Sequence, residues 1–198
     1  MDVSNLKNQF WTTRVSRINA ERRLIRKNSF IQGINIYYSC ITIILSILSI
    51  LLEDDANLGV ITTIMSICLL ISILYLNGQR YLENAHEYKM NYTEIHRLEM
   101  ALDKENITPE EVMGIRMKYC DLLNSGCNHS TYDYYCTVYG ANENYRKENG
   151  RWKSVRVKFY FGKIWRIGVY ASLIFLPIVI LGIWLIWGGY NACVQSLG

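Results

Sequence analysis

Apolar positions along this chain are pooled rather than scattered. They fall in three blocks, residues 33–52, 58–76 and 167–187, and none of the three contains Lys, Arg, Asp, Glu or His. Each block is about 20 residues long, enough at 1.5 Å rise per residue to cross a hydrocarbon core of roughly 30 Å. The pattern therefore predicts an all-α integral membrane protein. A two-helix transmembrane hairpin comes first and a third, C-terminal transmembrane helix last. A cleaved signal peptide fits the first block poorly, because some thirty residues precede it and a second span follows at once.

The segments outside the blocks show helical periodicity. In 4–30, Phe10, Trp11, Val15, Ile18, Leu24 and Ile25 recur near helical spacing, which predicts a basic amphipathic helix leading into the first span. Its cations either contact anionic headgroups or form a solvated face. From Gln79 to about Lys104 the second span is expected to continue as a helix. Tyr81, Ala85, Tyr88, Tyr92, Ile95 and Leu102 form a coiled-coil-like stripe along it. Thr108-Pro109-Glu110-Glu111 predicts a capped helix start, with Val112, Ile115, Tyr119 and Leu122 on its apolar face and Ser125-Gly126 closing it. Ser130-Thr131-Tyr132-Asp133 predicts another cap, for a helix through Tyr139. Residues 142–150 read as a loop, and Trp152, Val155 and Phe159 open the helix into the third block. The resulting division is 1–32, basic amphipathic helix; 33–77, transmembrane hairpin; 78–164, cytoplasmic helical domain; and 165–198, third span and outside tail.

Overall composition hides this architecture, and charge placement orients it. Of 21 Lys and Arg, seven precede the first block and the other fourteen lie between Arg80 and Arg166. The loop at 53–57 and the tail after Trp187 have none. Basic segments stay in the cytoplasm, so both the N-terminus and 78–166 are expected inside, with the C-terminus outside. Trp165, Tyr170, Trp184, Trp187 and Tyr190 suit an interfacial belt. The six cysteines divide between membrane, reducing side and outside, so no disulfide framework is expected.

Within the first span, Ser39, Thr42, Ser46 and Ser49 are spaced three, four and three apart and share one helix face. Such a face packs closely against another helix, or it lines a wet path in an oligomer. Residues 151–166 carry six Lys or Arg and no acid, and Arg151, Lys153, Arg156, Lys158 and Lys163 suit anionic lipid or an anionic ligand. Enzyme chemistry finds no footing: there is no phosphate-binding glycine loop, no nucleophile elbow and no HExxH. Cys120, Cys127, His129 and Cys136 are zinc-competent residue types, but without a close CxxC pair they predict no metal site. Asp54 and Asp55 read as a turn. No catalytic residue, cofactor or direct nucleic-acid contact is expected.

The most specific string is Cys127-Asn128-His129-Ser130-Thr131-Tyr132-Asp133-Tyr134, preceded by Tyr119-Cys120-Asp121-Leu122-Leu123. Together these resemble the Y-x-x-[IL]-L … NHS-x-x-DY signature of the SLATT family. Those are bacterial membrane effectors found with SMODS nucleotidyltransferases and SLOG sensors. Glu21-Arg22-Arg23-Leu24, Tyr37-Tyr38-Ser39 and Leu45-Ser46-Ile47-Leu48 resemble the family's approach to its first span. The resemblance covers about 14–165, and the third block departs from the two-span pattern. Asn128, His129, Ser130, Asp133 and Tyr134 are then structural motif residues. The resemblance implies an anti-phage effector in the inner membrane, inert until a partner or nucleotide signal triggers oligomerisation or opening. The first reading of this chain is a homo-oligomeric pore whose cytoplasmic helices assemble through the tyrosine stripe. A nucleotidyltransferase product or a reverse transcriptase is the implied partner. The other reading is a membrane-anchored adaptor that recruits a cytoplasmic sensor or reverse transcriptase without forming a pore.

Overall fold

The computed structural model describes residues 3–51, 56–124, 129–141 and 152–195, without the side chains of 56–58, 181, 184–185 and 187–195. Every element among them is an α-helix: α1 Val3–Leu51, α2 Ala56–Gly78, α3 Tyr81–Ala101, α4 Pro109–Asn124, α5 Thr131–Gly140 and α6 Trp152–Gln195. Three stretches, within α1, α2 and α6, are long and apolar enough to cross a membrane, with mean hydropathies of 2.0, 2.3 and 1.6. The all-α, three-span membrane architecture is therefore as the hydropathy pattern predicts. The expected turn at Asp54-Asp55, the Ser125-Gly126 cap, the 142–150 loop, and the side chains of Trp184, Trp187 and Tyr190 lie outside the described residues.

The chain divides into two compact units: Met1–Phe30 with Gly78–Gly162, and Ile31–Asn77 with Lys163–Gly198. The first unit is built around the N-terminal part of α1. Leu6 and Phe10 pack with Ile95, Leu102 and Tyr119, while Ala20 and Leu24 pack with Ala85 and Tyr88. The Phe10 and Tyr119 rings lie 4.2 Å apart, so an aromatic contact joins α1 to α4. The N-terminal segment thus belongs to the same core as α3 and α4. Its inward seam is Leu6, Phe10, Thr13, Arg17, Ala20 and Leu24, alternating four and three like a coiled-coil face. Trp11, Val15, Ile18 and Ile25 are at most half-buried.

This packing corrects one expectation. The tyrosine stripe of α3 is occupied inside the chain, with Ala85, Tyr88, Ile95 and Leu102 buried, so it is not an exposed assembly surface. The expected run from the second span to Lys104 is also interrupted. It stops at Gly78, and Arg80 adopts a left-handed backbone (φ 48°, ψ 40°) before α3 begins. A side chain in that region costs roughly 1–2 kcal/mol, enough to mark the break as structurally imposed. The α4 start is as its sequence predicts. The Thr108 N–H donates to Glu111 Oε2 at 2.8 Å and the Glu111 N–H to Thr108 Oγ1 at 3.2 Å. The Thr108 bond, helped by Lys104, holds the Glu111 carboxyl down at about 2.

The second unit holds the spans. α1 turns Thr42 and Leu45 inward, while Ile43, Ile44, Ile47, Leu48 and Ile50 stay exposed, as a lipid-facing surface requires. The close approach of the hairpin is at Gly59, where an added Cβ would sit 3.5 Å from Ser49 Oγ. α6 meets α1 through polar bonds. Pro177 lies inside α6 and has no N–H, so it leaves the carbonyl of Leu173, four residues back, without its helical donor. The Tyr38 hydroxyl donates to that carbonyl at 2.8 Å, and the Tyr37 hydroxyl donates to Ile174 O at 3.1 Å. In hydrocarbon no water can take that role, so the tyrosine supplies what proline removed.

Tyr38→Phe is expected to destabilise the packed spans by about 1–2 kcal/mol in detergent unfolding. In a Pro177→Ala background, where the helix regains its own donor, the same change should be nearly neutral. Equal costs in both backgrounds would remove the Tyr38–Leu173 bond as the reason α6 packs here.

Candidate functional site

Asp133 of the signature meets α1 in the first unit, and Ser130 positions it. Ser130 caps α5 in a capping box: its hydroxyl accepts from the Asp133 N–H, and its own N–H donates to Asp133 Oδ2 at 3.0 Å. The box puts the Asp133 carboxylate at the start of α5, where the helix dipole favours negative charge. The same carboxylate takes a bidentate pair from Arg23 of α1, Nε to Oδ1 at 2.9 Å and Nη2 to Oδ2 at 3.0 Å. Asp133 is 1% exposed and the Arg23 side chain 29%. Losing one partner of a buried pair costs on the order of 3–5 kcal/mol, and the partial exposure of Arg23 reduces that to about 2–3 kcal/mol. The strings around Arg23 and Asp133, more than a hundred residues apart, therefore form one docking contact.

A ladder of hydroxyls and amides extends the contact one turn further along α5 and two along α1. Ser16 and Thr137 share a 2.9 Å bond between hydroxyls, Asn19 Nδ2 donates to Thr137 Oγ1 at 3.0 Å, and Thr137 donates back to Asp133 O at 3.0 Å. Ser16, Asp133 and Thr137 are all buried. Such bonds fix the register of α5 on α1, because a shift by one turn would leave several buried polar groups unpaired.

Arg17 lies on the same seam at 1% exposure. Both of its Nη atoms donate to Leu122 O at 3.3 Å, and Asn91 Nδ2 donates to the same carbonyl at 2.9 Å. Leu122 is in the last turn of α4, where carbonyls lack helical donors and carry partial negative charge. Among the described residues no carboxylate pairs with Arg17, and burial lowers its pKa. Nearby, His129 is half-buried, its Nδ1 without a partner among the described residues, and burial followed by the Arg17 charge pushes its pKa below the ordinary value. Arg14 adds a 2.8 Å pair to Glu99.

Other expected site residues sit elsewhere. Tyr134 is half-buried on α5, with its ring 6.3 Å from that of Tyr135. Asn128 and Arg151 lie outside the described residues. Lys153, Arg156, Lys158 and Lys163 are exposed along α6, and Lys158 lies 5.6 Å from the Tyr135 ring centre. The junction of α5 and α6 is aromatic, with Tyr139 stacked on Phe159 at 4.2 Å. In the second unit Ser39, Ser46 and Ser49 are half-buried and Thr42 is buried. Ser39 and Thr42 donate to the carbonyls of Asn35 and Tyr38. Cys120 is exposed and Cys136 half-buried, while Cys127 lies outside the described residues. Sequence reading missed Ser16, Arg17, Asn19 and Thr137. The four–three spacing of the α1 seam, which runs through Arg17, was the available signal.

His129 sets an acid limit on this contact. The fold lowers its pKa, so the unfolded chain binds the proton more readily. The resulting stability is complete above about pH 6.5 and is lost as pH falls below that value through the folded pKa. The unfolding midpoint should fall between pH 7 and pH 5.5, and more steeply than in His129→Gln, with the acidic side chains common to both proteins. Parallel pH profiles would contradict the burial of a neutral imidazole.

Comparison with curated proteins and with solved structures finds no match. A family model does match, over residues 2–183. The match runs well beyond the 14–165 resemblance and takes in most of the third apolar block, so α6 is part of the matched region rather than an appendage to a two-span protein. By that match the chain belongs to the SMODS and SLOG-associating 2TM effector domain family 5.

Proposed function

We propose that this chain is an anti-phage defence effector that permeabilises the bacterial inner membrane as a homo-oligomeric pore, released by a partner or nucleotide signal. The observation that carries the reading is the double role of α1. It supplies the seam on which the first unit is built, and it also supplies the hydroxyl face of the first span. A signal that frees the α1 seam therefore acts on the same helix that would line the pore. Arg17 supports a switch of this kind. Among the described residues its guanidinium is held by the Leu122 carbonyl and no carboxylate, and a rearrangement that hydrates it relieves part of its desolvation cost.

In the structure Thr42 is buried and Ser39, Ser46 and Ser49 are half-buried, and in this reading opening would wet the face further. The orientation in this reading is N-terminus in and C-terminus out, from the distribution of Lys and Arg. The trigger would be a nucleotidyltransferase product or a reverse transcriptase partner. A second reading, the non-conducting adaptor, is favoured by one observation. Met90, Met100, Met113 and Met117 on α3 and α4 are each more than half exposed, and methionine-rich surfaces suit protein partners.

The test is expression in bacteria with membrane potential and dye uptake recorded together. Wild type should depolarise the cells when triggered. Replacing Ser39, Ser46 and Ser49 by Ala and Thr42 by Val should preserve insertion and abolish depolarisation. Undiminished toxicity in that variant would sink the pore-lining role. Normal potential in triggered wild-type cells, with a co-purifying soluble partner, would favour the adaptor.

A further inference from the structure

The second unit contains a cavity of about 510 Å³ among α1, α2 and α6. That volume lies in the ordinary range of small-molecule sites, roughly 300–1,000 Å³. Its walls are mainly aliphatic, with Leu45, Ile64, Leu69 and Ile180 among them. The polar lining is uneven. Asn35 and Tyr38 belong to the first turns of the α1 span, and Ser72 to the last turns of α2, so all three lie toward the basic end of the spans.

The α6 wall continues past the cavity toward that basic end. Leu173, Pro177 and Ile180 line the cavity. The same helix face, read backwards at three and four residues, runs through Tyr170 to Arg166 and Lys163. At 1.5 Å per residue these two cations stand about 10–15 Å before Leu173. An apolar slot with polar groups at one end and two cations beyond it matches an amphiphile with an acyl chain and an anionic head.

We infer that the three-span unit binds one anionic phospholipid, its acyl chain in the cavity and its phosphate at Lys163 and Arg166. A cavity of this size in hydrocarbon does not stay empty, since an empty one forfeits the contacts of every lining atom. Bulk lipid fills a groove without regard to headgroup, whereas the cations select charge. Cations near a membrane surface contribute about 1 kcal/mol each, so two give on the order of a 10–30-fold preference for an anionic over a zwitterionic lipid. The inference is independent of whether a pore forms.

The experiment uses the full chain in neutral detergent with equimolar phosphatidylglycerol and phosphatidylcholine, read by native mass spectrometry. One phosphatidylglycerol should be retained per chain, with about a tenfold or greater preference. Lys163→Gln with Arg166→Gln, both outside the apolar core, should bring the two lipids to parity. Ile180→Trp, which fills the cavity and leaves the cations in place, should lower retention of both. Equal retention of the two lipids by wild type would overturn the proposal. So would unchanged preference in the double variant, or a dimer that Ile180→Trp dissociates, which would make a second copy the occupant.

Discussion

The carboxylate of Asp133 serves two structures at once, and the first unit depends on both. It completes the capping box that starts α5, and it receives the bidentate pair from Arg23 of α1. Neither function alone would place α5. A capped helix of ten residues is marginal by itself, and a lone buried carboxylate would be strongly disfavoured. Combined, the helix start presents the acid and the acid docks the helix. Ser16, Asn19 and Thr137 then fix the register. The apolar contacts of Leu6, Phe10, Ala20 and Leu24 supply the bulk of the burial, but they would tolerate slippage that the polar ladder does not.

Membrane physics constrains the second unit in a parallel way. Hydrocarbon leaves no solvent donor for a carbonyl, so a proline in mid-span requires a partner helix. Tyr38 meets that requirement at Leu173. The third span is therefore joined to the first by chemistry specific to both, consistent with a family match that extends through residue 183. The same unit buries Thr42, half-buries Ser39, Ser46 and Ser49, and leaves Ile43, Ile44, Ile47 and Ile50 exposed. That arrangement suits helices packed in lipid.

Much of this was legible in the sequence because it rests on local patterns. Hydrophobic length gave the spans, and Thr108, Pro109 and Glu111 announced the α4 cap. The tyrosine stripe of α3 was visible as a periodicity, but its partner was not. Periodicity says that a face is buried and is silent about what covers it, so an intramolecular seam and an assembly surface look alike. Arg17 was hidden for a related reason. A cation on an otherwise apolar seam reads as a break in the pattern until the carbonyl of Leu122 appears opposite it. The Arg80 break was unreadable because a left-handed backbone is normally signalled by glycine or asparagine, and here it falls two residues after Gly78.

In the proposed reading, the packing of the first unit on α1 keeps the effector silent. The most direct test is membrane potential in uninfected, untriggered cells expressing Asp133→Asn at the wild-type level. Asparagine preserves the shape of the helix cap and removes the charge that holds Arg23. Spontaneous depolarisation by this variant, with wild type silent, is the predicted result. Cells that stay fully polarised, while the variant is inserted and measurably less stable than wild type, would contradict the account.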